Sequence, residues 1–408
     1  MFSNEAIKRM ALQRCTSIEF IITEKCQNAC KYCYRVKKHA LSPYDMLDPE
    51  HLRLYIRKLK EMFGDDVFRN REVELFGGDP LLDYDHTCKI LEVLDQEVSD
   101  EIIYIGMPTN GRLLQEITMH DIEHLLSKTK VPVGFSFSVD VIDTVQRNLS
   151  NTGSYLSYNE EINLDMLIKL AKEGGHGFHP MLDFSTIDKW FDQFKTFFDA
   201  GVRPYLLEVR HPLSKEQAIE AVRQMVRIRY YIDKHDPKSL RHMNTIAAST
   251  VPRGLGCSAH TSLCITIDGK IPFCHRVLDP PWICGNLLTG DLNLSKFVFF
   301  KAGFDHRNHV ACLTCPVRFA CTGQCAGASY EYWGDPWTPI ESICNYTKLK
   351  IFVMTNLFPD WITLLTESVQ AGRFYKQGLV DEIDRIFGYS NVMQLIEELK
   401  TWQKEDLI

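Results

Sequence analysis

Four hundred and eight residues exceed a typical single domain of about 150, so the chain is long enough for two to three domains and a large core without disulfides. Charged residues make up 24% and hydrophobic residues 45%, which excludes disorder as an overall description, and a formal net charge of -7 argues against a nucleic-acid scaffold. No apolar run approaches the ~18 residues of a membrane span and the N-terminus lacks the apolar core of a signal peptide, so a soluble cytoplasmic protein without membrane or nucleic-acid partners is expected.

After an N-terminal extension over residues 1–17, β-rich runs alternate with segments of helical periodicity up to about residue 240. The expected strands are IEFIIT (18–23), EVELF (72–76), EIIYIG (101–106), VGFSFSV (133–139), GFHPMLD (177–183) and PYLLEV (204–209). Helical stripes fall between them over 49–63, 86–98, 113–127, 162–173, 187–199 and 215–233. Six such units predict an α/β fold with a parallel sheet, either doubly wound or a partial or complete β/α barrel. Residues 250–348 read differently, with short strands, Gly and Pro punctuation and dense cysteines, so bound metal is expected to supply much of that segment's folding energy. Short helices are expected over 349–408.

The compositional anomaly is the cysteine count: fourteen in a chain without a sign of export. In a reducing compartment such thiols point to metal or redox chemistry rather than disulfides. Nine lie between Cys257 and Cys344, three lie between Cys26 and Cys33, and only Cys15 and Cys88 stand apart. Directly after the first expected strand, Cys26, Cys30 and Cys33 form a CxxxCxxC loop. Three thiolates at this spacing can hold three irons of a cubane cluster and leave a fourth iron open to chelate an amine and a carboxylate. A zinc knuckle is the plain alternative, with His39 as the one obvious fourth ligand.

With Tyr32 before its last cysteine, this loop resembles that of the radical S-adenosylmethionine (radical SAM) superfamily, which implies a partial (β/α)6 TIM-like barrel over residues 18–240. Gly77-Gly78-Asp79-Pro80 resembles the family's glycine-rich motif that contacts the methionine amino group, although the family more often has Glu where Asp79 stands. Pro108-Thr109-Asn110-Gly111 follows the third strand and Ser138-Val139-Asp140 ends the fourth, all at the carboxyl ends where barrel active sites are built. By resemblance, Tyr32, Gly77, Gly78, Asp79, Pro80, Thr109 and Asn110 belong to the cofactor site, Ser138 and Asp140 approach ribose or carboxylate, Arg147 pairs with that carboxylate, and the strand end from Leu207 flanks the adenine. Taken alone, each of these is an ordinary turn or solvated charge; their order at successive strand ends is what singles them out.

Further along, Cys312-Leu313-Thr314-Cys315, Cys321, Cys325 and Cys344 follow Cys257, Gly269 and Cys274 in an order that resembles the SPASM domain. That resemblance implies two auxiliary four-iron clusters over 250–348, one on Cys257, Cys274 and Cys325 with Cys264 as fourth ligand, the other on Cys312, Cys315, Cys321 and Cys344. Cys15 and Cys88 are expected in the core, and Cys284 in the core or as a reserve ligand competing with Cys264. Read alone, the second array fits zinc as well as iron.

The chemistry implied by the resemblance uses S-adenosylmethionine and three 4Fe–4S clusters. One electron cleaves the sulfonium, and the 5'-deoxyadenosyl radical takes hydrogen from a peptide or protein side chain, with crosslinking of a ribosomal precursor peptide favoured. Anaerobic sulfatase maturases, which form formylglycine, resemble the chain in cysteine order but place aspartate beside an auxiliary-cluster cysteine. Here His275 follows Cys274 and is the candidate base, with a structural histidine as the plain alternative. About 17 residues precede the first strand, too few for a leader-binding winged helix, so a separate leader-binding protein is a candidate partner, with an electron donor such as flavodoxin or ferredoxin. A zinc-stabilised binding protein on a decayed barrel is the non-enzymatic alternative.

Overall fold

The computed structural model describes residues 3–28, 30, 32–35, 45–139, 163–202, 204, 206–242, 258–318, 320–321, 323–358 and 376–402. The chain forms two compact units, one of Met1–His179 and Ser258–Phe304, the other of Pro180–Cys257 and Asp305–Ile408.

In the first unit, β1 (Ser17–Thr23), β2 (Glu72–Gly77), β3 (Tyr104–Thr109), β4 (Val133–Phe137), β5 (Gly177–Phe178) and β8 (Ser262–Ile265) form one parallel sheet in the order β5-β4-β3-β2-β1-β8. Helices Pro49–Phe63, Tyr84–Val98, Met119–Leu126 and Leu164–Gly174 stand between successive strands, the βα alternation of a partial barrel. Pro49–Phe63 shows why the sequence folds so locally. Asp48 caps it by accepting the Glu50 N–H, Pro49 sits in the first turn where its missing N–H costs little, and Leu52, Tyr55, Ile56, Leu59 and Phe63 are buried along one stripe. Along the strands, Ile18, Phe20, Val73, Leu75, Ile105, Met107 and Phe135 are buried. The alternate positions Glu19, Glu74, Gly106 and Gly134 are register partners across four strands, with Cys264 beside Glu19, and therefore share the sheet's opposite face.

The sixth strand departs from the sequence reading. Residues 177–183 were expected as one strand, but Pro180 lacks the N–H a ladder needs, and the run splits into β5 and β6 (Met181–Leu182). β6 pairs in parallel with β7 (Leu207–Glu208) inside the second unit, so the expected strand 204–209 does not join the main sheet. The sixth place goes to β8, a fully buried run from the cysteine-rich region that lies parallel to β1. The third strand also lies later than expected, at Tyr104–Thr109, which puts Thr109 at its carboxyl end. A helix at Asn4–Leu12 was not foreseen; the Arg71 guanidinium fastens its end by donating to the carbonyls of Leu12 and Cys15.

The turn between β8 and β9 (Lys270–Pro272) bends at Gly269, whose φ of +75° is left-handed. A Cβ there would press on the Tyr55 ring at 3.1 Å, while Tyr55 Oη donates to the Ile267 carbonyl.

The second unit packs helices Trp190–Asp199, Lys215–His235, Glu341–Leu357, Lys376–Phe387 and Tyr389–Trp402 around Trp190, Phe194, Met225, Tyr346, Leu349, Ile383 and Ile396. At the end of β7, the buried Glu208 carboxylate accepts from Tyr346 Oη at 2.9 Å and Lys350 Nζ at 3.1 Å, which ties the strand to helix Glu341–Leu357. Burial would push the Glu208 carboxyl up, but Lys350, Arg210 and Tyr346 hold it below its ordinary value. Among the described residues no helix is long and apolar enough to cross a membrane.

Candidate active site

The loop that carries Cys26, Cys30 and Cys33 leaves the carboxyl end of β1 and is laced to the end of β2. Gly78 and Asp79 donate their backbone N–H groups to the carbonyls of Thr23 and Lys25, each at 2.9 Å. The approach is so close that a Cβ on Gly78 would stand 2.0 Å from the Lys25 oxygen, and one on Gly77 would stand 2.2 Å from that of Thr23. Glycine is therefore required by space, and the pair sets the height of the loop above the sheet. Within the loop, Cys33 N–H bonds to the Cys30 carbonyl at 2.9 Å and Asn28 N–H to Cys26 Sγ at 3.3 Å.

Asp79 is the hub beneath this loop. Its carboxylate, 1% exposed, accepts from Thr109 Oγ1, the Asn110 N–H and the Leu81 N–H at 2.9–3.0 Å. Asn110, fixed in this way, extends Nδ2 to Cys26 Sγ at 3.7 Å and to Gln27 Oε1 at 3.0 Å, and Arg112 donates to Asn28 Oδ1 at 3.1 Å. Burial pushes the Cys26 thiol up to about 12, with Asp79, Cys30 and Cys33 adding to the effect. Cys30 and Cys33 are thus close enough to Cys26 to act on it electrostatically, and a cation that joined the thiols would favour the Cys26 thiolate, the behaviour of a metal-binding set. Among the described residues no three His, Cys, Asp or Glu side chains converge as ligands of a single ion.

On the same sheet, Glu19 of β1 accepts from His275 at 2.9 Å, Oε2 to Nδ1. Both are largely buried, and the imidazole packs on Phe76 with ring centroids 4.3 Å apart. Burial alone would raise the Glu19 carboxyl, but His275, Ser262 and Lys301 bring it below its ordinary value. Neighbouring Glu74 goes the other way: burial, then Glu19 and Glu72, push it up to about 7. The Glu19 bond assigns the Nδ1 proton to the carboxylate side and leaves Nε2 as the basic nitrogen. Tyr34, one residue past the loop, has the Arg35 and Arg276 guanidinium groups 5.7 and 5.1 Å from its ring centre. In the same neighbourhood, Cys264 is fully buried in β8 and its thiol is raised by burial, Glu19 and Cys274.

The second array is built within the second unit. Cys312, Cys315, Cys321 and Cys344 line one open pocket together with His306, Arg318 and Gln324. Cys312 rides on the short helix Val310–Leu313, Cys315 donates its N–H back to the Cys312 carbonyl, and Cys344 enters from the first turn of Glu341–Leu357. Burial pushes the Cys312 thiol up to about 11 and Cys344 to about 12, and neighbouring thiols add to both shifts. Four soft donors around a single cavity fit the cysteine ligation of an iron–sulfur cluster.

The residues between 20 and 226 match the model of the Radical SAM superfamily, just over half of the chain, and they contain the loop, Asp79 and the strand ends described above. The chain belongs to the radical SAM superfamily. Membership brings with it an enzyme that uses S-adenosylmethionine and an iron–sulfur cluster. Among curated relatives, this radical SAM protein is 23% identical over 362 residues to the radical SAM cyclopropyl synthase TigE of Paramaledivibacter caminithermalis, covering 82% of this chain and 73% of TigE. Among solved structures, it shares a fold with anSMEcpe with bound AdoMet, at TM-score 0.63 and 15% identity over 90% of this chain and 98% of that one. The same protein with bound AdoMet and the Kp18Cys peptide aligns at TM-score 0.61 and 16% identity, over 86% of this chain and 99% of that one.

Several expected site residues of the radical SAM chain meet at the carboxyl ends of β1 to β4: the three loop cysteines, Gly77, Gly78, Asp79, Thr109 and Asn110, while Ser138 donates its N–H to the Thr109 carbonyl at 2.8 Å. Tyr32 lies in the loop and is half-buried, and Pro80 accepts from Thr87 Oγ1 through its carbonyl. Leu207 stands in β7 of the second unit. Cys264 and Cys274 belong to the first unit, and Cys325 begins helix Ala326–Trp333 of the second. Asp140, Arg147, His39 and Cys257 lie outside the described residues. Cys15 and Cys88 are buried in the core, as expected, and Cys284 donates from Sγ to the Ile271 carbonyl at 3.2 Å. Glu19, Gln27, Asn28, Arg112 and Gln324 escaped the sequence reading. Only Glu19 carried a signal, as a charge inside the apolar run IEFIIT.

Proposed function

We propose that this radical SAM enzyme modifies a side chain of a peptide or protein, with crosslinking of a ribosomal precursor peptide as the favoured outcome. The observation that carries the reading is the similarity to the cyclopropyl synthase TigE over 82% of the chain. The peptide bound to anSMEcpe, a protein of the same fold, is in keeping with it.

In this reading Cys26, Cys30 and Cys33 hold the S-adenosylmethionine-binding cluster, which supplies one-electron cleavage of the sulfonium when both groups are bound. Gly77 and Gly78 bring the β2 backbone up to the loop, Asp79 and Thr109 fix Asn110 beside Cys26, and Ser138 closes the rim of the site. Asp140 and Arg147 complete the cofactor contacts by resemblance. His275 accepts the proton lost from the substrate at Nε2, held in the required tautomer by Glu19 at Nδ1. Two auxiliary clusters complete the set. One is held by Cys312, Cys315, Cys321 and Cys344, and their shared cavity supports it. The other is held by Cys257, Cys264, Cys274 and Cys325. Cys264 is favoured over Cys284 because its thiol feels Cys274, whereas Cys284 Sγ is committed to the Ile271 carbonyl. A separate leader-binding protein and a flavodoxin or ferredoxin donor are the proposed partners.

The test is 5'-deoxyadenosine release by anaerobically reconstituted protein with S-adenosylmethionine and a strong reductant, compared with a Cys26/Cys30/Cys33 triple alanine variant. Release by wild type alone, from protein with about twelve irons per chain, is expected. No release from fully iron-loaded wild type, or purification with zinc and no iron, overturns the reading. Formylglycine in a Cys- or Ser-containing target peptide would replace crosslinking by the maturase reaction.

A further inference from the structure

Beside the second cysteine array sits a side chain whose hydrogen bonds the proposed function leaves unused. Gln324 is 5% exposed, and every polar atom of its amide is engaged. Oε1 accepts the Ile340 N–H at 2.9 Å, and Nε2 donates to the Ile340 carbonyl at 2.9 Å and to Cys344 Sγ at 3.1 Å. The first two bonds form a closed ring with the backbone of Ile340, the residue that starts helix Glu341–Leu357 without a side-chain cap of its own. The amide therefore cannot rotate, and its remaining N–H is aimed at the sulfur. A glutamine needed only to fix the helix start would be satisfied by Ile340 alone.

An N–H donor to a thiolate stabilises negative charge on sulfur, so it favours the reduced, more negative state of a cluster that the thiolate ligates. The surroundings act in the same sense. Gly323 N–H donates to Cys321 Sγ at 3.3 Å, and the cationic Arg210 and Lys350 lie near that sulfur. Gln324 is the one of these contributors that can be removed without touching the main chain or the Glu208 network.

Resting on the reading that Cys312, Cys315, Cys321 and Cys344 hold a cluster, we propose that Gln324 is a positioning residue that raises the reduction potential of that cluster through its Nε2–H to Cys344 Sγ. The electron balance is a single one: the oxidised cluster accepts one electron from the titrant and the N–H stays on Gln324.

The experiment uses full-length reconstituted protein and follows the midpoint potential of this cluster by EPR during titration with dithionite, in wild type, Gln324→Met and Gln324→Glu. Gln324→Met keeps length and burial but has no donor, and Gln324→Glu keeps the acceptor for Ile340 while losing the donor. Iron and sulfide per chain are measured on each sample. A negative shift in both variants at unchanged iron content supports the proposal, and an unchanged potential at unchanged iron content overturns it. Should both variants lose iron, the Cys26/Cys30/Cys33 triple alanine variant that keeps Gln324, labelled with ¹⁵N at the glutamine side chains, decides. A nitrogen coupling to the reduced cluster in pulsed EPR supports the bond, and its absence overturns it. Failure of the underlying reading is separate: it shows as a Cys344→Ala variant that retains all the iron of wild type.

Discussion

Asp79 carries three hydrogen bonds from Thr109, Asn110 and Leu81 in a position closed to water. Its work is to join the end of β2 to the end of β3, and the shorter aspartate reaches both. Asp79→Ala strands buried donors, so a loss of about 3 kcal/mol is expected, read as a lower denaturation midpoint in urea at unchanged slope. At Glu74 the interesting variable is pH. Burial, Glu19 and Glu72 raise this carboxyl to about 7, so between its ordinary value and 7 the folded state binds more protons than the unfolded one. Its stabilising share is therefore fully present at acid pH and is lost as pH rises through about 7. Glu74→Gln should match wild type near pH 4.5 and exceed it at pH 8 by on the order of 2 kcal/mol, a figure reduced for partial exposure, with urea titrations at both pH values as the check.

At the scale of elements, the decisive junction is the one between the cysteine loop and the β2 end. The Gly78 N–H to Thr23 and the Asp79 N–H to Lys25 hold two turns back to back, and a methyl group on Gly78 would stand only 2.0 Å from the Lys25 oxygen. Gly78→Ala must therefore move the loop rather than the sheet, whose registers across β1, β2 and β3 are fixed by buried side chains. The expected result is loss of the S-adenosylmethionine-binding cluster alone: about four fewer irons per chain and no 5'-deoxyadenosine, with far-UV circular dichroism unchanged. The elements themselves were largely legible. Pro49–Phe63, β1 and β2 follow from cap, period and β-branched or aromatic content, all local signals. Helix Glu341–Leu357 begins before the expected helical tail, because the sequence shows the spacing of Cys344 but not that it lies on a helix.

For the whole molecule, the cysteine-bearing segment of the second unit draws on a different source of stability from the sheet of the first. The first contains a six-stranded sheet with a continuous apolar face, whereas residues 305–325 of the second consist mainly of turns and one-turn helices around four cysteines. Removing metal with a chelator under reducing conditions should therefore raise amide hydrogen exchange over 305–325 and the first turn of Glu341–Leu357, while β1 to β4 keep their protection. Exchange followed by mass spectrometry checks this, and uniform loss of protection would show that the sheet depends on the clusters as well.

The local arrangement was determined by sequence alone: the βα alternation, the CxxxCxxC loop after the first strand, and turns at successive strand ends. These rest on spacings of a few residues, which cap, period and turn chemistry control directly. Tertiary structure decided what met what. It supplied β1 with β8 from more than two hundred residues away as its parallel neighbour, moved 204–209 into the second unit, set Glu19 against His275, and aimed Gln324 at Cys344. None of these pairings has a sequence period, because each depends on which buried surface and which unsatisfied polar group is left once the local elements have formed.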